Sequence, residues 1–192
     1  MAKTSIQTPA FVLRSVDYGE SDVIVTLLGR DTGKISAMAR SAKRSKKRFA
    51  GSLLPMRSIS ITVETRANAN LARLVEATVV GDFSGIELSF DKITIASYAT
   101  ELVRECLKEG EPGIQPFDLL AGFYEQLADA EDSIDVLRVM VHHFELSLLE
   151  LLGASPMFYH CHHCQRSADE FDKFRCSRTG EGLVCGSCRS ES

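Results

Sequence analysis

The chain has 192 residues, of which 44% are hydrophobic and 25% are charged, a balance typical of a folded protein and not of a disordered one. Its formal net charge is −4, and no stretch approaches the roughly 18 consecutive apolar residues that a membrane-spanning helix needs. The N-terminal residues lack the long apolar segment of a secretory signal, so we expect a cytoplasmic protein with reduced cysteines and no membrane partner.

Charge is sorted along the chain into blocks of opposite sign. Residues 1–80 carry 13 basic and 6 acidic side chains, whereas residues 81–160 carry 4 basic and 15 acidic ones. Residues 161–192 carry five of each. A basic unit favours a polyanionic partner and an acidic unit is repelled by one. We therefore predict a nucleic-acid-binding domain over 1–80, an acidic domain over 81–160 and a third module over 161–192.

Five short segments of the basic block have the composition of β-strands. Residues 57–65 alternate apolar and polar side chains with a period of two, and residues 21–29 form a β-branched run typical of a strand buried on both faces. Weaker candidates lie at 11–16, 34–40 and 71–80. So many short strands in so short a stretch indicate a small closed barrel.

A cluster of cations follows the third predicted strand. Six of the nine residues from Arg40 to Arg48 are basic, in the stretch ARSAKRSKKRFAG. Loops around small barrels are common binding sites for oligonucleotides, and basic side chains there neutralise phosphates with little sequence preference. The same run also fits a nuclear localisation signal or a merely solvated loop. The candidate DNA contacts are Lys34, Arg40, Lys43, Arg44, Lys46, Lys47 and Arg48.

In the acidic block the apolar residues recur with a helical period. The first predicted helix covers residues 90–108, and its apolar stripe consists of Ile95, Ala99, Leu102 and Cys106. We therefore expect Cys106 to be packed in the core. A second helix has Pro116 in its first turn, and a third begins after Ser133 as N-cap and ends at Gly153.

Five of the six cysteines lie in the last 32 residues, four of them in two C-x2-C pairs separated by 20 residues. This spacing is the pattern of a tetrahedral four-thiolate zinc site. The segment has few large apolar residues, so a metal would supply the missing folding free energy, on the order of 10 kcal/mol. We expect one structural zinc ion bound by Cys161, Cys164, Cys185 and Cys188. The alternative ligands are Cys176, His160, His162 and His163.

Other cysteine chemistries fit the sequence less well. Two disulfides suit a secreted chain, and a thioredoxin-like redox pair needs a βαβ context. The stretch HFE at 143–145 followed by a C-x2-C pair superficially matches a zinc deaminase, but a second cysteine pair would then go unused. The sequence contains no P-loop, nucleophile elbow or HExxH motif. We therefore expect a protein that is not an enzyme.

Residues 18–56, YGESDVIVTLLGRDTGKISAMARSAKRSKKRFAGSLLPM, resemble the N-terminal domain of the RecO family of bacterial recombination mediators. The shared pattern consists of Tyr18–Gly19–Glu20, Gly33–Lys34, the basic run Arg40–Arg48, Gly51 and Leu53–Pro55. The resemblance continues through the acidic helical middle and LLGASPMF at 151–158 to the four cysteines. Family members usually continue past the second cysteine pair with more helical sequence, so the chain is expected to be truncated or to have a short C-terminal portion.

The resemblance implies an α+β protein with a five-stranded OB-fold β-barrel, an α-helical domain and an embedded four-cysteine zinc finger. It also implies a recombination mediator in DNA repair that anneals complementary single strands. With RecR, such a protein helps to load RecA onto DNA coated with single-strand-binding protein (SSB). The alternative is an RNA- or DNA-binding OB-fold and zinc-ribbon protein of transcription or translation without annealing activity.

The implied partners are single- and double-stranded DNA, RecR, the acidic C-terminal tail of SSB and, indirectly, RecA and RecF. Association with the nucleoid during repair would follow from these partners. Arg104, Lys108 and Arg138 are among the few cations that the acidic block offers to an acidic tail.

Overall fold

The computed structural model describes residues 3–45, 47–66, 71–170, 173–178 and 182–191. The chain divides into two compact units, Met1–Leu148 and Leu149–Ser192. The first unit holds the basic block and nearly all of the predicted helices, and the second holds the paired cysteines.

Five strands of the first unit close into a barrel. They are β1 (Lys3–Tyr18), β2 (Asp22–Gly29), β3 (Gly33–Ala39), β4 (Arg57–Arg66) and β5 (Ala72–Asp82). Their hydrogen-bonded order is β1-β2-β3-β5-β4, and β4 pairs back with β1. The β3–β5 pairing is parallel and the others are antiparallel. The predicted five-stranded barrel, with the strand number of an OB-fold, is confirmed, although β1 extends well beyond the predicted 11–16.

The barrel interior is filled by apolar side chains from alternate strand positions. Ile59, Ile61 and Val63 of β4 are fully buried, as their period of two predicted. In β2 the residues that alternate with the buried ones are mostly half-buried, so the expected burial on both faces was wrong. Gly113, which precedes the helix Ile114–Asp129, lies against the carbonyl of Gly29, where an added Cβ would clash. The start of that helix therefore packs against the end of β2.

The loop between β3 and β4 is anchored in the barrel. Phe49 is 4% exposed and belongs to the barrel core. The carbonyl of Arg48 accepts a hydrogen bond from the backbone N–H of Ala77 in β5. A single 3-10 turn, Ala42–Arg44, forms the start of the loop. The basic run is thus fixed at both of its ends.

Helices follow the barrel: α1 (Ser84–Glu87), α2 (Phe90–Cys106), α3 (Ile114–Asp129) and α4 (Ile134–Leu151). Pro116 lies in the first turn of α3, and the left-handed Gly153 (φ 70°) follows α4, both as predicted. The carbonyl of Ser133 accepts the N–H of Leu137, in agreement with the predicted start of α4. None of the described helices has the length and apolar character that crossing a membrane requires.

The buried stripe of α2 is displaced by one residue from the prediction. Ala96, Ala99, Thr100 and Val103 are buried, whereas Cys106 is exposed. The expectation of a packed Cys106 was therefore wrong. The reason is two buried polar groups that a hydrophobic pattern does not count. The Lys92 ammonium donates to two carbonyls at the end of α3, and Thr100 shares a hydrogen bond with the Tyr124 hydroxyl.

The described part of the second unit contains a three-stranded sheet in the order β6-β8-β7. The strands are β6 (Met157–Cys161), β7 (Phe174–Cys176) and β8 (Gly182–Cys185). The central β8 pairs parallel with β6 and antiparallel with β7, and all four of its residues are buried. Each C-x2-C pair begins at the end of a strand, because Cys161 closes β6 and Cys185 closes β8.

Candidate nucleic-acid interface and metal centre

The basic loop, defined here as residues 40–48, lies beside the turn that joins β1 to β2. The backbone N–H of Lys43 donates to the carbonyl of Ser21 at 3.1 Å. The backbone N–H of Ser41 donates to Oδ1 of Asp22 at 2.7 Å. These two bonds fix the loop backbone against the turn, so its cations project from a defined position.

Two cations of the basic loop face acidic side chains of the hairpin. Lys43 Nζ lies 2.7 Å from Asp17 Oδ2, and an Arg44 guanidinium nitrogen lies 3.7 Å from Glu20 Oε2. All four side chains are substantially exposed, so the pairs are weak and screened by salt. Sequence reasoning missed these acidic partners, although their position around the Tyr18–Gly19 turn was the available signal.

The remaining cations of the basic loop differ in their surroundings. Arg48 is half-buried, donates to the carbonyl of Arg40 at 2.9 Å and lies 5.0 Å from the ring centroid of Phe49. Arg40 and Lys47 are exposed. Lys46 lies outside the described residues. Arg48 thus connects the two ends of the loop through a hydrogen bond and also adds charge to it.

Lys34 lies at the opposite end of β3 from the basic loop. Its ammonium donates to the carbonyl of Arg104 at 2.6 Å, in the last turn of α2. A lysine at this end of a helix satisfies an orphan carbonyl and complements the helix dipole. The structure therefore does not bring Lys34 together with the other candidate DNA contacts, and instead uses it to join β3 to α2.

The four paired cysteines come together in the second unit. Their Sγ atoms all lie within 4.8 Å of one another, and the Cys164 and Cys185 sulfurs are 3.7 Å apart. All six cysteines of the chain are free. Four thiolates around one zinc ion at about 2.3 Å would have sulfurs about 3.8 Å apart, so the cluster fits a tetrahedral metal ion.

The backbone around the cluster favours a thiolate at Cys161. The N–H of Cys185 donates to the Cys161 sulfur at 3.4 Å. Burial disfavours the thiolate, but backbone hydrogen bonds outweigh burial and lower the pKa of Cys161 to about 6. The donors are Cys164, Cys185 and His163. Hydrogen bonding to Cys164, followed by burial, raises the pKa of Cys188 to about 12, and a divalent cation would remove that proton.

The alternative ligands stand apart from this cluster. Among the described residues, the metal-ligating group consists of the four paired cysteines without a histidine or carboxylate. Cys176 is exposed on β7, opposite Leu183 of β8. The N–H of His162 donates to the carbonyl of Leu183 at 2.7 Å, so the first cysteine turn is bound to the central strand.

The turn that follows the first cysteine pair has a strained residue. Gln165 adopts a left-handed conformation with φ 58°. Its backbone N–H donates to the carbonyl of Cys161 at 2.9 Å, which closes the turn around the pair. Glycine adopts this conformation without cost, whereas a residue with a Cβ does not.

The carboxylate of Glu145, in the HFE stretch at 143–145, contacts two other side chains. Glu145 accepts from the Tyr98 hydroxyl at 2.6 Å and lies 3.2 Å from Nδ1 of His142. These contacts lower the pKa of Glu145, with the Tyr98 hydrogen bond as the main cause. The Glu145 carboxylate is therefore held by side chains of α2 and α4.

The candidate contacts for an acidic tail also differ from one another. Arg104 is paired with Glu101 at 3.1 Å and with Glu105 at 2.7 Å. Lys108 and Arg138 are exposed. The latter two are therefore the more accessible cations of the acidic block.

Comparison with known proteins extends over both units. The family profile described as Recombination protein O N terminal matches residues 1–83, and that described as Recombination protein O C terminal matches residues 87–192. The chain is 36% identical over 183 residues to the DNA repair protein RecO of Anaeromyxobacter dehalogenans (strain 2CP-C), a match that covers 95% of this chain and 70% of that protein. It is 38% identical over 180 residues to the DNA repair protein RecO of Myxococcus xanthus (strain DK1622), over 93% and 70% of the two chains. The chain therefore belongs to the RecO family.

Proposed function

We propose that this protein binds single- and double-stranded DNA through the basic loop and anneals complementary single strands during recombinational repair. Membership of the RecO family supports a role in DNA repair and recombination. The observation that carries the DNA site is the basic loop itself, whose exposed cations project from a backbone fixed to the barrel. Because such cations neutralise phosphates, they reduce the repulsion between two strands that must pair.

The proposed role includes the partners of a recombination mediator. Together with RecR, the protein would help to load RecA onto SSB-coated single-stranded DNA, with RecF contributing indirectly. The acidic tail of SSB requires cations outside the DNA site, and Lys108 and Arg138 are exposed on the acidic block. These activities do not call for a chemical step, and they belong to the cytoplasm, at the nucleoid.

We also propose that the four-cysteine cluster holds one structural zinc ion. Two observations support zinc: the sulfur separations fit a tetrahedral ion, and all four donors are cysteines. With all four positions taken by sulfur, the ion would stabilise the fold of the second unit and leave no position for a substrate.

The decisive experiment measures annealing of complementary oligonucleotides already coated with SSB. The test variant combines Lys43→Ala, Arg44→Ala and Lys47→Ala, three exposed cations whose loss leaves the barrel core intact. Its matched control is Lys43→Arg, Arg44→Lys and Lys47→Arg, which keeps the charge. We expect the alanine variant to lose both DNA affinity and annealing, and the control to keep both.

Salt dependence provides an independent measurement of the same site. With about five phosphates neutralised, wild-type affinity for a single strand should fall about a hundredfold from 50 to 200 mM salt, a log–log slope of about −3.5. The alanine variant should flatten the slope by about 2. If that variant retains the wild-type affinity and slope, DNA does not bind at the basic loop. DNA binding without faster annealing would instead support an OB-fold protein of transcription or translation.

A further inference from the structure

An aromatic side chain stands exposed next to the basic loop. Tyr18 is the last residue of β1 and is 55% exposed. Its register partner in β2 is Asp22, whose carboxylate accepts the backbone N–H of Ser41 in the loop. Partners in an antiparallel ladder point to the same face of the sheet, about 5 Å apart. The Tyr18 ring therefore lies beside the residue that holds the start of the basic loop.

The same row of the sheet leads from Tyr18 to a cation. Val23 of β2 pairs with Ala39 of β3, so the next residue of the chain, Arg40, follows the row of Asp22 at the end of the ladder. Neighbouring strands are about 4.8 Å apart, which places the backbones of Tyr18 and Arg40 about 10 Å apart. Two long, exposed side chains, the Tyr18 ring and the Arg40 guanidinium, thus lie on either side of Asp22 in one row.

Behind this row lies a second one with apolar side chains. Val16, Ile24 and Met38 are register partners across the three strands. Val16 is exposed, and the other two are half-buried. The surface thus combines an exposed ring, neighbouring apolar side chains and a cation. Surfaces that bind single-stranded nucleic acids have this composition, because bases stack on aromatic rings and phosphates contact cations.

We propose that Tyr18 stacks on an unpaired nucleobase of a strand whose phosphates contact the basic loop. The inference rests on the proposed DNA-binding function and adds a preference to it. Bases within a duplex are stacked on one another and offer no free face to the ring. Tyr18 therefore favours single strands over duplex, whereas the cations of the loop serve both.

The test compares Tyr18→Ala and Tyr18→Phe in the full chain. Fluorescence anisotropy is measured with a labelled oligothymidine and with a labelled duplex at the same salt concentration. Loss of one stacked base should weaken single-strand binding by about fivefold or more. Duplex affinity and the salt slope should stay unchanged, and Tyr18→Phe, which keeps the ring, should bind like the wild type. Tyr159→Ala, which removes an 81% exposed tyrosine of the second unit, is the matched control.

A spectroscopic variant tests the contact directly. The chain contains no tryptophan, so Tyr18→Trp introduces a single indole at the proposed contact. Its emission should be quenched saturably by the oligothymidine and unaffected by the duplex.

Two results would overturn the inference while leaving the proposed function intact. One is a Tyr18→Ala protein that keeps wild-type single-strand affinity while the alanine variant of the basic loop loses it. The other is an equal loss of single-strand and duplex affinity in Tyr18→Ala. If the wild type binds neither probe, the proposed function fails, and the inference fails with it.

Discussion

At the scale of single residues, Asp17 and Glu20 place negative charge beside two cations of the basic loop. A phosphate that binds Lys43 or Arg44 must displace these carboxylates. Each exposed ion pair contributes only about 0.2–1 kcal/mol of favourable interaction. The double variant Asp17→Asn, Glu20→Gln should therefore raise DNA affinity by about two- to fivefold at low salt. The gain should shrink at high salt, where the Debye length is short.

Anisotropy titrations at two salt concentrations check this prediction. Glu125→Gln removes an exposed carboxylate from α3 and is the control, with DNA affinity expected to stay at the wild-type value. An affinity of the double variant equal to that of the wild type at low salt would show that the hairpin carboxylates do not compete with phosphates.

Gln165 offers a second test at this scale, because its left-handed backbone costs about 1–2 kcal/mol for a residue with a Cβ. Replacement by glycine should stabilise the second unit, with the proposed metal ion bound, by about 1 kcal/mol. The gain is partly offset by loss of the Gln165 side-chain bond to the His162 carbonyl at 3.2 Å. Metal release to a chelator should then be slower in Gln165→Gly than in the wild type. Gln165→Ala keeps the strain and loses the bond, so equal rates for the glycine and alanine variants would refute this explanation.

At the scale of secondary structure elements, an ion pair joins the barrel to α3. Arg30, just after β2, donates two hydrogen bonds to the Asp118 carboxylate at 2.9 and 3.1 Å. The hydrogen bond from Arg30 is the main cause that lowers the pKa of Asp118 below its ordinary 3.8. A carboxyl with a lowered pKa in the folded protein stabilises the fold above the ordinary pKa. That contribution is lost as the pH falls through the lowered value.

The difference in melting temperature between the wild type and Asp118→Asn should show the same dependence on pH. The variant should melt slightly below the wild type at neutral pH, by a small margin because both side chains are about half exposed. Below the lowered pKa of Asp118 the two melting temperatures should converge. Asp129→Asn, at the other end of the same helix, is the control. A difference between wild type and Asp118→Asn that persists unchanged at low pH would mean that the variant perturbs packing and not the ion pair.

Some of these elements follow directly from sequence, and others do not. The period of two in β4 and the cap residues of α4 are local signals, so both elements were predicted. The buried stripe of α2 was missed because Lys92 and Thr100 are buried through partners on α3, which a pattern within one helix does not contain.

In the candidate sites, too, features with a local sequence signal could be predicted and features that depend on distant contacts could not. Cysteine spacing is itself a local signal, so it pointed to the four residues whose sulfurs come together. The position of Tyr18 beside the basic loop depends on the register of three strands. The engagement of Lys34 by α2 is likewise a contact between distant parts of the chain.

At the scale of the whole molecule, the two units depend on different sources of stability. The first has an apolar barrel core, whereas the buried apolar residues described in the second are few: Cys161, Leu183, Val184 and Cys185. Under reducing conditions, a strong zinc chelator should therefore unfold the second unit and leave the first folded, since the proposed structural zinc would supply on the order of 10 kcal/mol.

Hydrogen exchange measured by mass spectrometry distinguishes the units. After chelation, amides of β6 and β8 should exchange freely while those of β1 and β4 stay protected. DNA affinity of the basic loop should change by less than about twofold, because its anchors lie in the barrel. Cys106→Ser, which alters an exposed thiol, should respond to the chelator like the wild type. Loss of protection in both units at once would rule out independent stabilisation.

The way the barrel closes also sets the order in which the chain can fold during synthesis. The β1–β4 ladder joins residues 3–11 to 58–66, and β3 meets β5 through residues 37–39 and 72–74. Pairings across such long separations form slowly, and the barrel cannot close until β5 has left the ribosome, since β5 lies between β3 and β4. Until β4 has left the ribosome, the edge of β1 that pairs with it is open to other chains. Each helix emerges only after Asp82, so the acidic half of the protein is made when the barrel strands are already available to receive it.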